Sequence, residues 1–327
     1  MYSAPMDNSL ITTRFRADST AADVVHGHDL EGLRAVVTGA SSGLGIETAR
    51  ALAAAGAEVT LAVRNNAAGG DAARSIVEST GSRTVRVRRL DLADQASVAE
   101  FVEGWDGPLH LLVNNAGLVT GGLERTAEGW ELQFATNHLG HFALTVGLHG
   151  ALVRGAAQRG GARVVALSST AHMRARVDFD DLHFERREYD PQTAYAQSKT
   201  ANSLFAVEAT SRWAEDGIVA NAVNPGGIAT GLQRHFTPSQ RESLDAAEAA
   251  GVFTYKSVGQ GAATTLVAAI EPAFARTGGH YLDDGREAYT VPDDAEMADH
   301  PHGVKRWALD PDLANRLWNV SLDLIRH

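Results

Sequence analysis

Hydrophobic runs of strand length recur at Ala35–Thr38, Val59–Val63, Val85–Leu90, Leu109–Val113, Val164–Leu167 and Val219–Val223, with a seventh candidate at His280–Leu282. Between them apolar residues return every three to four positions, most clearly over Ile46–Ala55, Ala96–Trp105, Gly129–Leu152 and Ala194–Trp213. That is the spacing of helices with one buried face. Strands separated by helix-length segments predict right-handed βαβ crossovers, hence an α/β fold with a doubly wound parallel sheet of about seven strands in a single domain. Near-continuous apolar strands such as Leu109-His-Leu-Leu-Val113 suit a sheet covered by helices on both faces.

The regular alternation is framed and interrupted by polar segments. Residues 1–32 form an N-terminal arm with a short helical candidate near Thr20–Val25 that Ser19 is placed to cap. Residues 33–284 carry the alternating pattern. Two inserts, 173–192 and 226–256, leave the carboxyl ends of strands, where open parallel sheets bind ligands. The first is charged; the second contains a helical candidate, Ser239–Ala250. Long irregular segments at such an edge favour a role over the site. The tail, 285–327, ends in an amphipathic helix over Pro311–Ile325, with Leu313, Leu317, Trp318, Leu322 and Leu324 apolar, expected to pack on the domain.

Composition narrows the chemistry. The chain has 327 residues, 44% hydrophobic, a net charge of −11 and no cysteine. The negative balance argues against nucleic acid or an anionic membrane surface as partner. Disulfides, thiolate catalysis and cysteine-ligated zinc are excluded. No apolar stretch reaches the roughly 18 residues of a membrane-spanning helix, and the N-terminus lacks the pattern of a signal peptide, so a cytoplasmic location is expected.

The first strand ends in Thr38-Gly39-Ala-Ser41-Ser-Gly43-Leu44-Gly45 and runs straight into a helix. Glycines there let backbone approach a pyrophosphate, and the helix N-terminus offers free N–H groups and partial positive charge. The second strand ends in Val63-Arg64-Asn65, with no carboxylate to accept from an adenosine ribose. Arg64 instead suits a 2′-phosphate, which favours NADP over NAD. Tyr195 and Lys199 stand one helical turn apart, and Lys199 is one of only three lysines among 29 basic residues. A nearby ammonium is expected to lower the phenol's pKa from about 10 toward neutrality, making it a proton donor or acceptor. His138 and His141 lie three apart on a helix, but without a carboxylate or cysteine at ligand spacing they are expected to pack rather than bind metal. His172 is expected either to touch substrate or to stabilise its turn.

Taken together, the glycine turn, Asn114-Asn115-Ala116-Gly117, Ser168-Ser169, Tyr195-x-x-x-Lys199 and Asn224-Pro225-Gly226 resemble, in order and strand placement, the short-chain dehydrogenase/reductase family. The resemblance runs from about Gly32 to Leu282. The stretch Ser-Ser-Thr-Ala-His172, the long insert before Tyr195 and the upstream Asp29-Leu-Glu-Gly32 resemble more closely the branch containing retinol dehydrogenases and the WW-domain-containing oxidoreductase. This resemblance implies a Rossmann-type fold and residue roles by position. Tyr195 would be the general acid in reduction and the base in oxidation. Lys199 would hold the nicotinamide ribose and Ser169 polarise the carbonyl. Asn137 would distort its helix and anchor a water linking the lysine to solvent. For the cofactor, Gly39, Ser41, Gly43, Leu44 and Gly45 would surround the pyrophosphate. Arg64 would meet the 2′-phosphate, and Asp91 and Leu92 the adenine. Asn115, Ala116 and Gly117 would pass near the adenine ribose; Pro225, Gly226, Ile228 and Thr230 would meet the nicotinamide amide.

The expected activity is NADP(H)-dependent interconversion of a carbonyl and an alcohol on a fairly apolar small molecule, without metal. A catalytically idle NADP-binding sensor or adaptor is the alternative. Light-driven C=C reduction also uses a Tyr/Lys pair, but with a cysteine that this chain lacks. In many relatives the helices carrying Asn137 and Tyr195 build subunit interfaces, so a homo-oligomer is one expectation.

Overall fold

In the computed structural model, which describes residues 10–228 and 254–326, the predicted strands assemble into one sheet. They are Arg34–Thr38 (β1), Glu58–Val63 (β2), Val85–Arg89 (β3), Leu111–Asn114 (β4), Ala162–Leu167 (β5), Ile218–Asn224 (β6) and Tyr281–Asp283 (β7). Their order is β3-β2-β1-β4-β5-β6-β7, all parallel, and Arg286–Glu287 (β8) adds an antiparallel edge strand. The strand order reverses between β1 and β4, so the crevice outside their carboxyl ends is the natural ligand site.

Alternation within the strands explains why helices cover both faces. Ala35, Val37, Leu111, Val113, Val165 and Leu167 point into one core, beneath Gly43–Ala54 (α2) and Asn66–Thr80 (α3). Their neighbours Val36, Leu112, Val164 and Ala166 point into the other, beneath Gln95–Glu103 (α4). A strand buried on both sides needs apolar residues at every position, and the four residues of β4 are all buried.

Several boundaries differ from the sequence expectation. The short helix Ala21–Val25 (α1) is capped by Thr20, in a reciprocal pair with Asp23, and not by Ser19. Helix α3 has only Gly69, Ala72 and Ile76 buried, too sparse a stripe to announce itself. The expected single helix over 129–152 is broken. It becomes Leu132–Phe134 (α5), a π segment at Ala135–Leu139, Gly140–Gly147 (α6) and His149–Arg159 (α7). The shift occurs where the Gly140 N–H donates to Ala135 O, five residues back instead of four. Pro191–Trp213 (α8) starts at an Asp190 cap with proline in its first turn. Val258–Ile270 (α9) is buried almost all round, so it lacks helical periodicity.

The C-terminal helix Pro311–Arg326 (α10) lies across α6 and α8. Its Trp318 meets Phe142 at 4.9 Å and Trp213 at 5.2 Å, both edge-on, and stacks over Phe205 at 6.0 Å. Among the described residues no helix is long and apolar enough to cross a membrane. The expected helix Ser239–Ala250 lies outside the described residues.

Candidate active site

The ends of β4 and β5, helix α8 and the π segment bring the singled-out polar residues together. Ser169 follows β5 and caps a short 3-10 turn, its Oγ accepting from the Ala171 N–H at 3.2 Å. Tyr195 and Lys199 project from the first turns of α8. The Lys199 Nζ lies 5.5 Å from the centre of the Tyr195 ring and donates to the Leu167 carbonyl at the end of β5, 2.9 Å away. Asn137 sits in the π segment, fully buried. Its Oδ1 accepts the Leu118 N–H at 2.9 Å, and its Nδ2 donates to Leu118 O at 3.1 Å and Ser198 Oγ at 3.0 Å. A Cβ on Gly117 would lie 3.5 Å from Asn137 Oδ1 and 3.6 Å from Lys199 Nζ, so the loop after β4 runs close to both side chains.

The electrostatics depart from the sequence expectation in one respect. Burial pushes the Tyr195 phenol up to about 12, with a hydrogen bond to Ser169 acting the other way. Burial likewise lowers the Lys199 ammonium to about 8. The expected depression of the phenol by Lys199 is therefore not what the folded chain displays. Desolvation disfavours the charged form of each group and is the first cause of both shifts.

The turn after β1 has the features of a phosphate cradle. Gly39 has φ 66°, and a Cβ there would stand 2.9 Å from Ala116 Cα. At Gly45 a Cβ would lie 2.6 Å from Gly39 O, so only glycine lets the helix start so close to the strand. The caps supply an independent test. Asn65, Asp94, Asp190 and Ser257 accept first-turn N–H bonds of α3, α4, α8 and α9, whereas Ser42 makes no such bond to α2. The first turn of α2, which contains Gly43, Leu44 and Gly45, thus has no side-chain cap on its N–H groups, as an anion-binding helix start requires. Ser41 lies in the turn beside them.

The remaining positions are spread along the same edge. Arg64 is exposed after β2. Asp91 and Leu92 follow β3; the Asp91 Oδ1 accepts the Ala93 N–H at 3.1 Å, and Leu92 is part of the core. Asn115 has a structural task, its Nδ2 donating to Thr38 O at 2.7 Å. Pro225, Gly226 and Ile228 follow β6, and a Cβ on Gly261 would lie 2.7 Å from both Ile228 and Leu44. Thr230 lies outside the described residues. The insert at 173–192 is braced on α8: Gln197 donates to Leu182 O at 2.9 Å and accepts from Asp178 N and Arg187, each at 3.0 Å.

The histidines that looked like a metal pair are engaged separately, His138 with Ser321 Oγ at 2.9 Å and His141 with Thr38 Oγ1 at 2.8 Å. His172 is fully buried, which resolves its two readings in favour of the turn. Sequence reasoning missed Lys256 and Lys305, although the rarity that marks Lys199 marks them equally. Lys256 lies along Gly226 and pairs with Asp284. Lys305 is buried and donates to the carbonyls of Asp293, at 2.8 Å, and Ala295.

A family model described as short chain dehydrogenase matches residues 34–241. A probable oxidoreductase from Streptomyces antibioticus is 47% identical over 303 residues, spanning 91% of this chain and 99% of its own. Retinol dehydrogenase 12 from Bos taurus is 37% identical, over 89% of this chain and 85% of its own. A crystal structure of a putative uncharacterized protein from Mycobacterium paratuberculosis superposes with a TM-score of 0.71 at 34% identity, covering 94% of this chain and 97% of that one. The chain belongs to the short-chain dehydrogenase/reductase family. As a member of this family it is an oxidoreductase of the class that binds nicotinamide cofactors, and its sequence is similar to the retinol-dehydrogenase-like branch. The open first turn of α2 and the close glycine packing fit such a dinucleotide.

Proposed function

We propose that this short-chain dehydrogenase/reductase uses NADP(H) to interconvert a carbonyl and an alcohol on a fairly apolar small molecule. The observation that carries the reading is the convergence of Tyr195, Ser169 and Lys199 beside the ends of β5 and α8, with Asn137 behind them. A carbonyl undergoing reduction needs a hydride at carbon, a hydrogen-bond donor on oxygen and a proton for the alkoxide. The bound nicotinamide supplies the hydride. Ser169 donates to the carbonyl oxygen, and the Tyr195 phenol gives up its proton as charge develops there. Burial, which pushes this phenol up to about 12, keeps it protonated in the neutral range, as a proton donor must be. Lys199 holds the nicotinamide ribose, and Gly39, Ser41 and the first turn of α2 take the pyrophosphate.

For NADP over NAD, the support is Arg64 after β2 and the absence of a carboxylate there. For an apolar substrate, the support is the two inserts at the carboxyl edge and a relative named for retinol. NADPH consumption against a panel of cyclic and aryl ketones tests the reading, with Tyr195→Phe as control. Turnover should fall by about two to four orders of magnitude in the variant. Equal turnover by both proteins would remove Tyr195 from the chemistry. NADPH binding with no turnover of any ketone would point instead to an idle cofactor-binding sensor.

A further inference from the structure

Two buried histidines make the same pair of contacts at different corners of the site. His141 Nδ1 lies 3.0 Å from Asn137 O, and His172 Nδ1 lies 2.7 Å from Ser169 O. A carbonyl oxygen only accepts, so each Nδ1 carries the proton and each Nε2 is left with a lone pair. At His172 that lone pair accepts the Lys305 backbone N–H at 3.2 Å, a group that only donates, so the tautomer is determined from both sides. At His141 the Nε2 accepts from the Thr38 hydroxyl at 2.8 Å. The Thr38 Oγ1 in turn accepts the N–H groups of Asn115 and Ala116, both at 2.9 Å. Burial keeps both imidazoles neutral, each lowered to about 4.

The two carbonyls share a predicament. Asn137 sits where the helical ladder shifts register, and Ser169 where a strand gives way to a 3-10 turn. At such breaks the regular ladder does not fix a carbonyl alone: Ser169 O accepts the His172 backbone N–H at 3.0 Å as well as the ring Nδ1–H, and Asn137 O accepts from the His141 ring. We propose that His141 and His172 are positioning residues of the site. Each donates through Nδ1–H to the backbone carbonyl of one active-site residue and braces it through Nε2 against a distant segment. His141 braces Asn137 against the nucleotide turn after β1. His172 braces Ser169 against the segment around Lys305, which lies beyond the residues matched by the family model. The C-terminal segment thereby becomes part of the active-site scaffold. This assignment rests on the carbonyl-reductase reading above.

The test begins with nitrogen-15 imidazole spectra of the full chain. They should show both rings as neutral Nδ1–H tautomers across the neutral range; an Nε2–H tautomer, or a ring that titrates there, at either position would overturn the proposal. Substitution then separates the two arms, because an asparagine amide reaches the Nδ1 position and a glutamine amide the Nε2 position. His141→Gln and His172→Gln should lower kcat for ketone reduction by about ten- to a hundredfold, as a small misplacement of reacting groups does. NADPH affinity, followed by its fluorescence, should stay unchanged in both. His141→Asn and His172→Asn should recover most of the lost kcat. Equal losses in the Asn and Gln variants, tracking a fall in melting temperature, would overturn the positioning role alone. A chain that binds NADPH yet reduces no ketone would overturn the reductase reading and this role with it.

Discussion

The Lys199 ammonium faces the Tyr195 ring at 5.5 Å and spends one hydrogen bond on the Leu167 carbonyl, 2.9 Å away. The pair is thus held by the end of β5 as well as by helical spacing. The same burial that raises the phenol lowers the ammonium. A site built this way stores unfavourable solvation in the free protein, a common cost of function.

That cost is measurable at Lys199. Its pKa falls from 10.5 in the unfolded chain to about 8 in the folded one, so at neutral pH the folded state holds the proton less readily. Stability from this group is therefore smallest below about 8 and grows as pH rises toward the unfolded value. Lys199→Met should raise the melting temperature of the cofactor-free protein at neutral pH, by at most roughly 3 kcal/mol in stability, while abolishing turnover. A lowered melting temperature would show that the ammonium is well solvated where it lies.

Arg64 bears on the choice of cofactor. Replacing it with glutamate removes a charge-assisted donor and introduces the acceptor that a ribose hydroxyl prefers. The dissociation constant for NADPH should rise about ten- to a hundredfold in Arg64→Glu, with NADH affinity rising or unchanged. Parallel weakening of both cofactors would assign Arg64 a general role.

Trp318 is only 4% exposed and touches Phe142, Phe205 and Trp213. Trp318→Ala should cost about 3–5 kcal/mol by denaturant unfolding, the usual range for emptying a large aromatic site. Because α10 covers α6 and α8, the variant should also expose apolar surface and associate; a monodisperse variant of unchanged stability would contradict the packing described.

His302 lies 2.7 Å from the Asp283 carboxylate and 3.5 Å from that of Asp284, and the hydrogen bond to Asp283 raises its pKa above the ordinary value, with burial and then Lys256 opposing. A raised folded pKa means the contribution is complete below the unfolded value of about 6.5 and vanishes as pH climbs through the folded one. His302 is half-exposed, so solvent screening keeps the effect below about 1 kcal/mol. Melting temperatures of the unsubstituted chain and His302→Gln should differ most below about pH 6.5 and converge as pH rises above it. A difference that stays constant would mean the proton is not involved.

Much of this protein is local in origin and so legible in the chain. Six strand-length runs from Ala35 to Val223 declared six strands: inner strands such as β4 and β5 because a doubly covered strand must be largely apolar, and the edge strand β3 by its Val-Arg alternation. Gly39 and Gly45 marked the phosphate turn because no side chain fits there. The Tyr195–Lys199 spacing announced a shared helix face because helical geometry requires it. Helix α9 stayed hidden because its burial on nearly all sides erases the periodic signal, and the break at Asn137 because it depends on ladder register.

What the tertiary structure alone decided is how these pieces solvate and orient one another. The sign of the Tyr195 shift, the tautomers of His141 and His172, and the reach of Lys305 back to the turn after Ser169 all join residues far apart in the chain. Local pattern specifies which groups exist and which way their elements run. Protonation and hydrogen-bond direction depend on how much water is excluded and which partner arrives, and those follow only from the packed fold.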